Sequence, residues 1–455
     1  MIVMKFGGSS LKDAGSVKNV AQIIKTKISL QPVIVASAMG KTTRNLLNCC
    51  LAAAKHDIQT SNELLKSIKK YHFDIMDGLG IVETDRKTEQ IIQSFFNSIQ
   101  TNLEIIKSQK SLSPQLQDAT LAYGELLSTL ILSACLDSID LNVELLDSRD
   151  CIVTDAHFTH ATPIMPEIYK KIHGYITPIL NDNKLIVIQG FIGATQSAET
   201  TTLGFEGSDF SAVLIGAALK VHEVQIWKDV PGVMSADPAM IESAVPVEFM
   251  TFSEAAELSR CGAKVLHPST IRPARDLNIP VKIFNSKQPD FKGTTISNTF
   301  HQSTNAVKSI TCRKELSIVE LTAKQLLSEF DFSAHVFVTL RDLEISPEIV
   351  EVTDQKVILI INTGALIRSF LDRMSQWADI KIENDKATIS VIGQDIRNKP
   401  EIVERIENCQ LCQFVEYDAD KTSDHSYTLI LNEENLDSAL QELHDKMINY
   451  SLKRT

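Results

Sequence analysis

The sequence predicts an α/β chain: a mainly parallel sheet flanked by helices, followed by two smaller α+β units. Three observations carry this. Two strand-like runs near the start, Ile2 to Phe6 and Pro32 to Ala36, each end in a small-residue or polar loop and then a helix, the signature of a parallel sheet with its ligand at the carboxyl ends of the strands. A third apolar run, Leu185 to Phe191, precedes Thr200-Thr201-Thr202-Leu203-Gly204-Phe205-Glu206-Gly207-Ser208-Asp209 and a helix from Phe210 to Lys220. From about Asn305 the texture changes to short apolar strands alternating with amphipathic helices, an internal repeat of about 70 residues by element order. One larger α+β domain is the alternative.

In chain order, Lys5 stands at the exit of the first strand and is followed by Gly7-Gly8-Ser9-Ser10. The helix from about Ser16 to Lys27 aligns Val17, Val20, Ile23 and Ile24 on one face. After Pro32 to Ala36 comes a polar loop, Ser37 to Arg44, and a helix, Asn45 to Ala54. Gly40-Lys41-Thr42 imitates a P-loop, but the glycine that motif needs five positions earlier is Val35, so the match fails. The better signal is Lys5 beside two glycines: an ammonium next to bare backbone N–H groups can stabilise charge on a transferring phosphoryl group. His56 to about Lys110 is an amphipathic helical scaffold. Leu121 to Leu136 is a more apolar helix with Glu125 directly after Gly124. A carboxylate on a mainly buried helix needs a positive partner, so Glu125 is either exposed, locally paired, or the seat of a bound ammonium. His157 and His160 are expected at the surface.

The Thr200–Asp209 stretch puts small and hydroxylated residues where a loop meets a helix start. Free N–H groups and the helix dipole favour an anion there, Ser208 is expected to cap the helix, and Asp209 can hold a metal ion. Val224 to Trp227 is a strand, and Lys228-Asp229-Val230-Pro231-Gly232-Val233 a turn able to hold a base or ribose. Phe252 to Cys261 reads as a helix, Gly262 to Pro268 as a loop into another helix with Lys264 as a second phosphate candidate, Ile279 to Phe284 as a strand. Gly293 to Ile296 closes this domain. In the tail, Ser309 to Leu321 contains a strand. Gln325 to Asp342 reads as a helix, Ile349 to Val352 and Lys356 to Asn362 as strands, and Gly364 to Ala378 as a helix. Ala387 to Gly393, Glu401 to Asn408, Gln413 to Tyr417, Tyr427 to Asn432 and Glu434 to Ile448 repeat the plan.

Composition excludes several classes. The 455 residues suggest roughly three domains. With Lys+Arg 45 and Asp+Glu 57, the net charge of -12 argues against general nucleic-acid binding. No apolar run approaches the roughly 20 residues of a membrane span, and the first residues enter a strand with no leader pattern. The eight cysteines are scattered, with Cys49-Cys50 adjacent and Cys409 and Cys412 in one Cys-x-x-Cys, and fit reduced thiols in a cytoplasmic protein. Cys409 and Cys412 lack the second ligand pair of a zinc site.

The chain resembles an aspartokinase of the amino-acid kinase superfamily over nearly its whole length. The resemblance rests on Lys5-Phe6-Gly7-Gly8-Ser9-Ser10, Ser37-Ala38-Met39-Gly40-Lys41-Thr42-Thr43, Gly124-Glu125, Gln189 to Gly193, Thr201 to Gly204, Gly207-Ser208-Asp209, Trp227 with Asp229 to Gly232, and Gly262 to Pro268. The tail resembles that family's tandem ACT regulatory domains. The implied organisation is a kinase domain over 1–300 and ACT units over 305–385 and 386–455, without a fused homoserine dehydrogenase. The implied reaction is ATP- and Mg2+-dependent phosphorylation of the L-aspartate side chain. Lys5 would contact the transferring phosphate, with Gly7, Gly8, Ser9 and Ser208 around the phosphates and Asp209 organising the magnesium end. Ser37, Thr43, Glu125, Phe205 and Ser208 match substrate positions, with Glu125 taking the amino group. Lys228, Asp229, Met234, Lys264 and Val265 match the nucleotide side. The resemblance also implies a homodimer through the ACT units and feedback by lysine or threonine, with Phe332, Ser346, Glu348, Thr353 and Asp354 at effector positions. Neither nucleic acid nor membrane is expected as a partner. The sequence departs from the family at Phe205, where an arginine is usual. It departs also at Glu206, Met234, Ala239 and Asp331, where glycine, tyrosine, arginine and glycine are usual.

Overall fold

The computed structural model describes residues 1–81, 85–204, 206–263, 266, 268–298, 306–324, 329–353, 355–366, 368–409, 417–419 and 423–449. It forms two compact units. The first holds Met1–Val233, Glu248–Phe252 and Leu266–Phe300. The second holds Met234–Val247, Ser253–Val265 and His301–Thr455.

The first unit is built on β1 (Ile2–Phe6), β2 (Pro32–Ala36), β3 (Val143–Leu146), β5 (Leu185–Gln189), β8 (Val224–Lys228), β9 (Phe249–Thr251), β10 (Val281–Asn285) and β11 (Thr294–Ser297). Their order is β3-β5-β2-β1-β8-β10-β11-β9. Only the β10–β11 pair is antiparallel. The central strands IVMKF, PVIVA and LIVIQ are buried along their whole length, which is why they read as unbroken apolar runs rather than alternating ones. A smaller sheet joins β4 (Val153–Thr154), β6 (Ile192–Thr195) and β7 (Thr200–Thr202).

The helices of this unit are α1 (Ala14–Lys27), α2 (Thr42–Ala54), α3 (Ile58–Leu79), α4 (Arg86–Gln109), α5 (Pro114–Leu121), α6 (Tyr123–Asp137), α7 (Met165–Asn181) and α8 (Gly207–Leu219), with α10 (Pro268–Asp276) further on. The carboxylates of Asp57 and Asp85 cap α3 and α4 by accepting the amides of Thr60 and Thr88. Ser113 caps α5 with Pro114 in its first turn. Three expectations shift. α2 starts at Thr42, so the loop after β2 is only Ser37 to Lys41. The expected apolar helix is α6, which starts at Tyr123, so that Leu121 instead ends α5. Thr200–Thr202 is strand rather than loop. By length and composition Pro114–Asp137 could cross a membrane, against the expectation that no stretch approaches this. However, 83% of its apolar window is buried inside the unit, where Leu127, Ile131, Leu132 and Leu136 are core.

The second unit has one six-stranded sheet, ordered β13-β14-β12-β15-β17-β16. Its strands are β12 (Val307–Ala323), β13 (Ile349–Thr353), β14 (Lys356–Asn362), β15 (Ala378–Gly393), β16 (Tyr417–Ala419) and β17 (Ser426–Asn432). Its helices are α9 (Phe252–Arg260, from Ser253 onward), α11 (Glu329–Asp342), α12 (Arg368–Met374), α13 (Pro400–Glu407) and α14 (Leu436–His444). The two long strands bend where Glu315 and Asp385 take φ of 57 and 56 and the pairing register slips. Each therefore serves two cores. Val319, Leu321, Phe332, Leu359, Phe370 and Ala378 form one. Val307, Ile310, Ala387, Ile389, Leu429 and Leu440 form the other.

In chain order the first half runs β12, α11, β13, β14, α12, β15, and among the described residues the second runs β15, α13, β16, β17, α14, with the start of β12 as its further strand. The expected partition needs one correction. Val307 and Ile310 pack in the second half's core, because the start of β12 pairs with the end of β15. A helix over Gly364 to Ala378 is also corrected. A short 3-10 turn, Thr363–Ala365, precedes α12, and Ala378 already belongs to β15.

Candidate active site

Because β1, β2, β5 and β8 run parallel, with Lys5 level with Val35 and Ile226 and Val35 level with Ile188, the loops after Phe6, Ala36, Gln189 and Lys228 leave the sheet at one edge. The N-terminus of α8 lies at this edge, where Ser208 packs against Gly190: a Cβ on that glycine would lie 2.6 Å from the Ser208 Cβ. The first two loops interlock. The Gly40 amide donates to the Gly8 carbonyl at 2.9 Å, and a Cβ on Gly8 would lie 2.6 Å from the Ala38 carbonyl oxygen. Gly7 donates to Trp227 O. The buried Trp227 ring stacks between Phe6 and Phe284 at 5.9 and 4.8 Å, closing the floor beneath these loops.

Three charges meet there. Lys5, 5% exposed, places Nζ 2.5 Å from Asp209 Oδ1, and Lys228 Nζ lies 3.3 Å from Asp209 Oδ2. Burial pushes the Asp209 carboxyl up, but the two ammonium groups outweigh it and hold its pKa below the usual value. Asp209 is the third residue of α8, where the positive end of the helix also favours an anion. Asp209 thus holds both ammonium groups beside the glycine loops at the start of α8. Two ammonium groups gathered at a helix N-terminus favour an anion there.

Glu125, 3% exposed, sits in the first turn of α6. Its Oε1 accepts the Ala38 amide at 3.1 Å, while Oε2 is buried with no hydrogen-bond partner. Burial pushes its pKa up to about 8, with the Ala38 amide and the Lys5 charge opposing. Of the three options left open by the sequence, surface exposure is removed, and Glu125 makes no salt bridge among the described residues. Thr43 faces the same corner, its Oγ1 3.4 Å from where a Gly124 Cβ would be. Ser37 Oγ donates to Ser208 Oγ at 2.8 Å.

Ser208 is not the helix cap. Glu206 occupies that position in the left-handed region, φ 55, without a capping side-chain bond, and the Ser208 hydroxyl instead meets Ser37. Ser9 Oγ donates to Asp229 Oδ1 at 3.0 Å. Lys228, expected on the nucleotide side, is the last residue of β8 and holds Asp209. Met234 belongs to the second unit, where its carbonyl accepts Ser309 Oγ. Phe205, Lys264, Val265, Asp354 and Cys412 lie outside the described residues. In the tail, Phe332 is buried in the core. Glu348 pairs with Arg313, and Ser346 and Thr353 are exposed.

Sequence reasoning missed Asp118, fully buried on α5, because helical periodicity alone does not mark an inward carboxylate. The same holds for the Lys228–Asp209 pair, which joins residues far apart in the chain. Among the described residues no cluster of three or more His, Cys, Asp or Glu side chains could hold a metal.

A lysine-bearing strand end, glycine loops and a helix N-terminus around a buried carboxylate fit the phosphate-handling site of a phosphotransferase. The family model described as "Amino acid kinase family" matches residues 1–285. Aspartokinase 2, chloroplastic, of Arabidopsis thaliana is 32% identical over 465 residues, covering 97% of this chain and 83% of that protein. The crystal structure of E. coli aspartokinase III with aspartate and ADP (R-state) superposes with a TM-score of 0.85 at 28% identity, covering 98% of this chain and 99% of that one. The same enzyme with lysine and aspartate (T-state) gives 0.83. The chain belongs to the amino acid kinase family and, within it, to the aspartokinases, phosphotransferases whose acceptor is a carboxyl group, with tandem ACT units in the tail.

Proposed function

We propose that the chain transfers the γ-phosphoryl group of ATP to the side-chain carboxylate of L-aspartate, giving 4-phospho-L-aspartate, the first step towards lysine, threonine and methionine. The observation that carries this is the placement of Lys5 and Lys228 on Asp209, at the helix start where the glycine loops meet. An ionised carboxylate is already a nucleophile, so the protein need only align two anions and neutralise their charge. Lys5, with Gly7, Gly8 and Ser9, receives the transferring phosphate, and Asp209 fixes both lysines. Glu125 Oε2 takes the aspartate ammonium, and Ser37, Thr43 and Ser208 bound the substrate corner. Magnesium, when bound, offsets phosphate charge. With Asp209 committed to two lysines, these residues fit an ion held mainly by phosphate oxygens and water. Asp229 serves the nucleotide.

The test is an assay with ATP, magnesium and hydroxylamine, which traps acyl phosphates. Hydroxamate from aspartate is expected. Turnover of glutamate but not aspartate would establish the second reading, an acidic substrate of another length, which Phe205 in place of the usual arginine favours.

The tail supports feedback control in a homodimer. β13 is an edge strand with Val350 and Val352 exposed, and α11 exposes Phe337, Val338 and Phe330, the last at 83%. A second copy covering this apolar face places effector between ACT units, near Ser346, Glu348 and Thr353. Lysine and threonine are titrated into the assay and sedimentation is measured alongside. Inhibition by one of them in a dimer is expected, and no response to either would leave the tail a structural element.

A further inference from the structure

We propose that Asp118 is a positioning residue that sets the substrate corner at Glu125 in register with the loop leading to Ser208 and Asp209. Asp118 is fully buried on α5. It makes no contact with the Lys5 cluster, yet its carboxylate takes three bonds from the segments around it. Oδ2 accepts the amides of Thr159 and Thr202 at 2.8 and 2.9 Å, and Oδ1 accepts Thr202 Oγ1 at 2.8 Å. Thr202 is the last residue of β7, directly before Leu203-Gly204. The turn held through Thr159 in turn covers Gly204. A Cβ there would fall 2.4 Å from His160 Nδ1 and 3.3 Å from the Thr159 carbonyl, and φ at Gly204 is +77. Ala161 N completes the seam by donating to Thr202 O at 2.9 Å.

On its other side, Asp118 is tied covalently to the substrate corner. α5 ends at Leu121, Ala122 donates back to the Asp118 carbonyl at 3.1 Å, and α6 begins with Tyr123-Gly124-Glu125. One carboxylate therefore joins the element carrying Glu125 to the strand feeding Gly207-Ser208-Asp209. A side chain serving only to stabilise α5 would bond within its own helix. This one directs every bond to β7 and the turn beside it. Burial raises the Asp118 carboxyl, and the amides it accepts work against that shift. Transfer requires acceptor and phosphate to meet within a few tenths of an ångström, and a loosened register costs rate steeply.

The inference rests on the aspartate kinase reading, so wild-type turnover is measured first; absence of hydroxamate from any acidic substrate would sink that reading. Hydrogen exchange over 155–164 and 200–204, which needs no turnover, then tests Asp118 alone. In Asp118→Ala both segments are expected to exchange at least tenfold faster, KM for aspartate to rise and kcat to fall at least tenfold each, and KM for ATP to stay within threefold. Asp118→Asn is expected to restore all four values to within threefold. Its amide oxygen can accept both N–H groups while its NH2 donates to the Thr202 hydroxyl, which can turn to accept. Should Asp118→Ala not fold, Thr202→Val, which loses one of the three bonds, is expected to raise KM for aspartate at least threefold without moving KM for ATP. A folded Asp118→Ala with wild-type kinetics would overturn the proposal. So would equal damage in Ala and Asn, a parallel rise in KM for ATP, or an unchanged Thr202→Val.

Discussion

The unpartnered Glu125 oxygen makes aspartate binding depend on pH in a specific way. With a pKa of about 8 in the free protein, roughly one Glu125 in ten is ionised at pH 7, and ionising the rest costs about 1.4 kcal/mol. Aspartate brings the ammonium that makes ionisation favourable, so binding at pH 7 should release about 0.9 proton. The affinity for aspartate then falls about tenfold for each pH unit below 8 and levels off above it. Glu125→Gln removes the charge at all pH values. At pH 8.5 the variant loses a buried charge-assisted pair, about 3 kcal/mol or over a hundredfold in affinity. At pH 6 the wild type itself spends about 2.7 kcal/mol on ionisation, so the two should nearly converge.

Stability should move the other way. The Glu125 folded pKa lies above its unfolded value of 4.5, so its neutral form costs nothing below pH 4.5, and the penalty grows as pH rises towards 8. At pH 7 that penalty is about 3 kcal/mol. The Gln variant removes it and leaves an amide unpaired at about 1–3 kcal/mol. Its melting temperature should therefore equal or exceed that of the wild type. The assay is calorimetric titration of aspartate from pH 6 to 8.5 in two buffers of different ionisation enthalpy. An affinity flat across that range, with no proton released, would refute the assignment of the ammonium to Glu125.

Other outcomes follow from the same geometry. Lys5→Ala and Asp209→Asn should each lower kcat by about 10²–10³, the size of removing one preorganised charge. Because they share one ion pair, the double variant should be much less impaired than the product of the two, as a double-mutant cycle reports. Gly8→Ala drives a methyl group into the Ala38 carbonyl, so kcat should fall at least tenfold with little change in aspartate affinity. An active Gly8→Ala enzyme would show that the two loops are not locked together. Buried His72 donates Nδ1–H to Ile68 O at 2.8 Å, and burial lowers its pKa to about 4. Its folded value lies below the unfolded 6.5, so stability should be lost as pH falls from 6.5 to 4, by about 3 kcal/mol. Urea melts of His72→Leu should lack that share of the acid loss.

Lys5, Gly7, Gly8, Glu125, Ser208 and Asp209 each stand at a local feature legible in the sequence, a strand exit, a glycine pair or a helix start, whereas Ser37 was named only through the resemblance to the family. Lys228 was legible as a site residue but not as a partner of Asp209. Asp118 was not legible, since a single acid on a short helix carries no periodic mark and its bonds reach 41 and 84 residues along the chain. The two ACT-type halves were visible as a repeat of elements. What the repeat concealed is that β12 and β15 run through both halves and assign Val307 and Ile310 to the second.

By itself the sequence determined which strands are buried, which loops are short and small, and which helices start with an anion-ready turn, because these depend on neighbours a few residues away. Only the tertiary structure decided the protonation state of Glu125, the sharing of Asp209 between two lysines and the seam at Asp118. Each is an electrostatic balance between burial and partners from distant segments, and neither term exists until the chain has folded.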